Sequence, residues 1–164
     1  MSGVVREIYL TAEGGAPMEQ VEEVQAVAGR GLEGDRYAER KGYWTNVDEC
    51  QVTLIEEEGL DEIRASTEVQ VSNGEHRRNI ITRGVRLLDL VGRRFKVGEA
   101  IFEFDRPRPP CRYIQSRSEH GMTKALGRNR GGICARVVQS GAIRAGDAIE
   151  VLAKEATGSP LLGR

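Results

Sequence analysis

The sequence is short of the residues on which most metal centres, disulfide scaffolds and membrane anchors depend. Three cysteines in 164 residues, Cys50, Cys111 and Cys134, are an odd number at wide spacing. That argues against a disulfide framework and a structural zinc site, and favours a reducing compartment. The two histidines, His76 and His120, stand at no spacing that makes a zinc or facial-triad signature with Cys or Glu. No apolar run approaches the length of about 18 residues that a membrane span requires, and Arg6 and Glu7 interrupt the apolar N-terminus. A soluble cytoplasmic protein with no membrane partner is therefore expected. There is no Walker loop. Gly29-Arg30-Gly31-Leu32-Glu33-Gly34 matches the dinucleotide fingerprint letter by letter, but the Asp35-Arg36 that follows opens no apolar helix, so the match is read as accidental.

What is present describes a folded domain. Hydrophobic residues make up 39% of the chain and charged residues 30%, inside the globular range. Twenty glycines without a Gly-X-Y period point to many tight turns between short elements, and so to a strand-rich chain. At roughly 150 residues per domain, one domain over residues 1–153 is expected. A mobile tail over residues 154–164 should follow, marked by Gly158, Pro160 and Gly163.

Residues 4–10, 51–55, 79–82, 93–97 and 99–104 read as strands. In residues 18–28, Val21, Val24 and Val27 recur every third position; periodicity leaves helix and strand open, while the valines and the Gly29-Arg30-Gly31 exit favour extended structure. Residues 56–67 read as a helix with Leu60 and Ile63 on its buried side and acids suited to the dipole at its start. Ser72 and Glu75 have capping-box spacing, which predicts one helical turn before the strand at 79–82. Residues 87–91 form an apolar turn stopped by Gly92, and residues 111–126 are expected to be helical in pieces, broken near Gly121. Residues 132–139 and 148–152 read as a strand pair joined by Gly141-Ala142-Ile143-Arg144-Ala145-Gly146-Asp147, a barrel-closing connection. The result is mainly β with small helices: about six to eight short strands, most easily arranged as a closed or partly open β-barrel.

The net charge of −1 conceals an asymmetry. Residues 1–75 carry 6 basic and 17 acidic side chains, whereas residues 76–136 carry 15 basic and 5 acidic, nearly all the basic ones arginine. Arginine presents a flat fork of donors that fits phosphate and carboxylate oxygens two at a time. Such a cluster in a neutral protein points to an anionic ligand, with pairing to the acidic N-terminal stretch as the bland alternative.

Chemistry concentrates at a few places. Pro109-Pro110-Cys111-Arg112 sets a cysteine just after two prolines, at the first turn of an expected helix, with Arg106, Arg108 and Arg112 close in sequence. Helix N–H groups and nearby guanidinium groups favour the thiolate, the form that attacks sulfur or binds a soft metal. Cys50 and Cys134 lack such surroundings and are read as structural. His76-Arg77-Arg78-Asn79 offers a clamp for a phosphate or a pterin-like ring edge, and Arg128-Asn129-Arg130-Gly131-Gly132 offers a loop whose N–H groups can converge on an anion. Gly31-Leu32-Glu33-Gly34-Asp35-Arg36-Tyr37 is a tight turn in which Asp35 and Arg36 can pair.

Taken in order, these segments resemble the MOSC domain, the module named for the C-terminal part of molybdenum cofactor sulfurases. The matching stretches are residues 31–37, Gln51-Val52-Thr53-Leu54-Ile55, Arg77-Arg78-Asn79-Ile80, residues 90–98 (Leu90 to Gly98), Pro110-Cys111, Arg130-Gly131-Gly132 and residues 141–147. The resemblance implies a β-barrel of the pyruvate-kinase barrel type that handles the molybdenum–molybdopterin cofactor or sulfur destined for it. It implies that Cys111 holds a persulfide or, as in the related mitochondrial amidoxime-reducing component, ligates molybdenum. Arg77, Arg78 and Asn79 would approach the cofactor, and Arg130, Gly131 and Gly132 would help hold its phosphate. Arg112, Arg128, Asp35 and Arg36 complete the expected cofactor-binding set. The chain has Asn129 where a histidine is expected before Arg-Gly-Gly. It carries no segment resembling a pyridoxal-phosphate desulfurase domain or the N-terminal extension of the amidoxime reductases, so a cysteine desulfurase or an electron-transfer protein is the expected partner.

Three functions compete on this basis. The first is a cofactor-binding or sulfur-carrying protein that works through Cys111. The second is a molybdenum-dependent reductase of N-hydroxylated small molecules. The third, a basic-faced nucleic-acid-binding barrel, has few stacking candidates in its basic third: Phe95, Phe102, Phe104 and Tyr113.

Overall fold

The computed structural model of the chain describes residues 2–39, 50–108, 121–127 and 130–152. Cys111, Arg112, Tyr113, Arg128, Asn129 and the tail at 154–164 lie outside the described residues. A strand with one face in a barrel and the other under a helix must be apolar on both sides, and β5 (Val52–Glu56) is such a strand, buried from Val52 to Ile55. Leu54 enters the barrel core, while Ile55 enters a second core outside it. The same division separates Ile8 from Tyr9 on β1 (Ser2–Leu10) and Ile80 from Ile81 on β6 (Ile80–Arg83). Covering these three outward residues are α1 (Glu57–Ser66), through Leu60 and Ile63, and the single turn α2 (Met122–Ala125), through Met122 and Ala125.

The remaining strands are β2 (Glu19–Val21), β3 (Glu23–Val27), β4 (Gly31–Leu32), β7 (Arg94–Val97), β8 (Ala100–Pro107), β9 (Ile133–Gln139), β10 (Gly141–Arg144) and β11 (Ala148–Val151). The ring runs β1–β6–β5–β9–β8–β7–β11 and closes where β11 pairs with β1, giving a seven-stranded barrel to which β2 adds along β1. Within this ring β5–β6 is the parallel pair, and α1 is the crossover between them. Side chains fill the interior. Phe95 and Phe102 face each other across β7–β8 with ring centroids 5.8 Å apart in an edge-to-face arrangement. A smaller sheet, β10–β3–β4, covers the barrel and contributes Val24, Ala26, Leu32 and Ile143 to the same core.

Two glycines are demanded by close approach. Gly132 (φ +88°) and Gly31 (φ +129°) lie so near the backbone carbonyls of Leu54 and Gln51 that a Cβ at either would strike the carbonyl oxygen.

Two local expectations are corrected. The stretch at Ser72–Glu75 is a turn, not a helix: the Glu75 carboxylate accepts the N–H of Asn73 at 2.8 Å and closes the chain on itself. Gly74 within it has φ +84°, and no apolar run continues the turn. Nor do β9 and β11 pair. β9 lies between β5 and β8, β11 lies between β7 and β1, and the connection between them contains β10, paired with β3. That connection still serves closure: Gly146 N–H donates to the Val5 carbonyl at 2.7 Å and Val5 N–H to the Asp147 carbonyl at 2.8 Å, leading into the β11–β1 seam.

Candidate functional site

At one end of the barrel the exits of β1, β4 and β8 meet the starts of β5, β6 and β9, and arginines from several of these segments tie them together. Arg36 donates its backbone N–H to Thr11 at 2.7 Å and its Nη2 to the Arg77 carbonyl at 3.2 Å. Arg78 donates Nε to the Gly131 carbonyl at 2.6 Å and Nη2 to the Arg108 carbonyl at 3.2 Å. Tyr37 bridges the group, its hydroxyl accepting from Arg36 Nη2 at 3.3 Å and Arg108 Nη2 at 3.2 Å, while the Arg36 guanidinium sits 4.3 Å from its ring centre. Arg36, Arg77 and Arg78 are all buried.

The carboxylate seated in this group among the described residues is Asp35, fully buried. It pairs with Arg36 at 3.2 Å and accepts the N–H groups of Thr11 and Tyr37. Burial also holds Arg78 below the ordinary arginine range, the cost of keeping a charge from water. Arg77 has φ +62°, the left-handed region that side chains other than glycine seldom occupy. This conformation sends consecutive guanidinium groups to different partners: Arg77 Nη1 to the Ala16 carbonyl at 2.8 Å, Arg78 to Gly131. Beside them His76 is fully enclosed, its Nδ1 accepting the Arg78 N–H at 2.9 Å and its ring edge-on to Tyr9. Burial first, then the charges of Arg78 and Arg64, push its pKa down to about 3, so the imidazole is neutral.

Two of the expected cofactor contacts have partners within the fold. Asn79 is spent on the framework: its Oδ1 accepts the N–H and the hydroxyl of Thr53, its own N–H donates to Thr53 Oγ1, and its Nδ2 donates to the Tyr9 carbonyl. It therefore positions β1, β5 and β6 against one another. Arg130 turns away from Arg77 and Arg78 to lie along α1, packing on Gly59 and pairing with Glu62 at 3.5 Å. There it lines a cleft of about 560 Å³ together with Glu56, Glu58 and Arg86. Of the Arg130-Gly131-Gly132 motif, it is the Gly131 carbonyl that joins the arginine group.

Cys50 and Cys134, read from the sequence as structural residues, lie in contact, sulfur to sulfur at 2.7 Å and both buried. The Cys50 thiol donates to Cys134; that bond, with Arg108 and Arg78 nearby, lowers the Cys134 pKa, whereas burial raises that of Cys50. Among the described residues no group of three or more His, Cys, Asp or Glu could hold a metal ion. Phe95, Phe102 and Phe104 are core residues and offer no stacking face. Sequence reasoning named Arg108 only as a neighbour of Cys111 and Tyr37 only as the end of the 31–37 turn, gave neither a place in the expected cofactor-binding set, and missed the cysteine pair. Among the described residues no helix is long and apolar enough to cross a membrane.

A closed small barrel with arginines gathered at one end defines the class. The MOSC domain model matches residues 41–150, more than half of the chain, and the chain belongs to that family, which is associated with the molybdenum cofactor. The fold is similar to the YuaD protein of Bacillus subtilis (TM-score 0.73, 19% identity, covering 92% of this chain and 96% of that one). It is also similar to YiiM of Geobacillus stearothermophilus (TM-score 0.70, 16% identity, 92% and 75%) and YiiM of Escherichia coli (TM-score 0.63, 20% identity, 94% and 72%). No curated protein matches the chain.

Proposed function

We propose that the chain binds a molybdenum–pterin cofactor at the arginine end of the barrel and that Cys111 carries sulfur to it or ligates its metal. The observation that carries this reading is the gathering of Arg36, Arg77, Arg78 and Arg108, joined through Tyr37 and through the Arg77 and Arg108 carbonyls, with Asp35 paired to Arg36. Such a donor set fits the phosphate of the cofactor, because guanidinium forks already desolvated gain more from an anion than exposed ones do. Arg77 and Arg108 would take the phosphate, Arg78 would hold the Gly131 loop, and Asp35 would keep Arg36 in place. The bound group would supply metal-centred redox chemistry that no side chain has. Cys111 is three residues along the chain from Arg108, a span of at most ~11 Å when fully extended.

The test uses protein made in a host that synthesises the cofactor, with metal analysis and intact mass for the wild type and Cys111→Ser. Molybdenum lost in the variant assigns ligation, and a reducible mass gain of about 32 Da, one sulfur atom, lost in the variant assigns a persulfide. Absence of both signals from the wild type would overturn the assignment.

A further inference from the structure

The buried cysteine pair lies outside that reading, which needs only Cys111. We propose that Cys50 and Cys134 form a redox-active dithiol that a small hydroperoxide closes to a disulfide. The 2.7 Å between the sulfurs lies closer to the bonded distance of about 2.05 Å than to the separation in a shared metal site. Two metal–sulfur bonds of about 2.3 Å at a tetrahedral angle hold their sulfurs about 3.8 Å apart. The pair is also held from both sides: Cys134 is on β9 opposite Thr53 of β5, and Cys50 leads into β5 three residues before Thr53.

The two sulfurs have distinct roles. Cys134 accepts the hydrogen bond and faces the guanidinium groups of Arg78 and Arg108, with the Asp105 carboxylate the opposing charge nearby. That environment makes it the attacking thiolate. Its sulfur displaces one oxygen of the hydroperoxide, the sulfur losing two electrons to the O–O bond, and the leaving oxygen takes up a proton to depart as the alcohol, or as water from hydrogen peroxide. The sulfenic acid left on Cys134 is attacked by the Cys50 sulfur. The S–S bond forms as the S–O bond breaks, and the hydroxyl leaves with the Cys50 proton as water. With exposures of 4% for Cys50 and 0% for Cys134, the pair shuts out a bulky low-molecular-weight disulfide, so the oxidant this step requires is a small hydroperoxide that reaches it when the surrounding strands open.

The test treats the full chain with hydrogen peroxide, blocks residual thiols with N-ethylmaleimide and maps the tryptic peptides without reduction. Cys50 falls in peptide 42–64, Cys134 in 131–136 and Cys111 in 97–112, so each pairing is separately visible. The expected result is peptide 42–64 linked to 131–136, a loss of about 2 Da per chain, restoration by dithiothreitol, and the same link in Cys111→Ser. Because the bond closes a loop across 84 residues, the oxidised protein should also melt at a higher temperature than the reduced one. Separately blocked Cys50 and Cys134, a link through Cys111 in place of this one, or sulfinic acid on Cys134 beside a free Cys50 would each overturn the proposal. Should Cys111→Ser fail to fold, the wild-type map alone decides, since it distinguishes all three cysteines.

Discussion

Acidifying the protein should cost it stability through one imidazole. His76 is enclosed and neutral, with a pKa of about 3 against an ordinary value of 6.5. Between those values the unfolded chain binds a proton that the folded chain refuses, so stability rises with pH across this window and is lost as the pH falls from about 6.5 toward 3. Over the interval from about pH 7.5 to about pH 4 the loss comes to about 3 kcal/mol, a large part of the 5–15 kcal/mol by which small domains are held folded. The assay is urea unfolding at a series of pH values for the wild type and His76→Gln. The variant forfeits the ring contact with Tyr9 and starts from lower stability, but it lacks the titrating group, so the difference between the two proteins should shrink as the pH falls. Curves that stay parallel over the whole interval would refute the reasoning, because they would mean that His76 titrates alike in both states.

Other substitutions probe the framework behind the arginines. Gly132→Ala places a Cβ against the Leu54 carbonyl at a positive φ and should destabilise the barrel by more than about 2 kcal/mol, read as a lower urea midpoint with an unchanged slope. Asn79→Ala strips partners from the Thr53 N–H and the Tyr9 carbonyl, and at about 1–3 kcal/mol per buried group left unpaired it should cost about 3 kcal/mol or more in the same assay. Phe102→Ala empties the centre of the barrel opposite Phe95 and should cost about 3–5 kcal/mol, seen as a drop in Tm.

The strands that alternate or run apolar were legible because each carries its burial in its own residues: β1, β5, β7 and β8 fall close to where the pattern puts them. Residues 18–28 were ambiguous by period, and they resolve into β2 and β3 because the latter finds a partner in β10, far along the chain. That distant pairing also explains why 141–144 reads as a connection; its glycine and short length hide a strand that exists only by pairing with β3. Ser72 and Glu75 carry a helix signal with no apolar stripe after it, and a cap without a face to bury starts nothing. At the candidate site, the motifs meet at one end of the barrel, but through atoms their sequence does not single out. Arg130 and Gly131 are neighbours in sequence, yet the backbone carbonyl of one faces Arg78 while the side chain of the other lies on α1. The contact between Cys50 and Cys134 depends on β5 pairing with β9, a non-local fact that no spacing of three cysteines contains.

The central claim is that the gathered guanidinium groups receive a single anion, and the most direct measurement is titration of the folded protein with molybdopterin at two salt concentrations. The wild type should bind, with affinity falling as salt rises, and Arg77→Gln should bind at least about tenfold more weakly, the loss of one charge-assisted hydrogen bond, while melting within a few degrees of the wild type. Equal affinity in the folded variant, or binding indifferent to salt, would contradict the account.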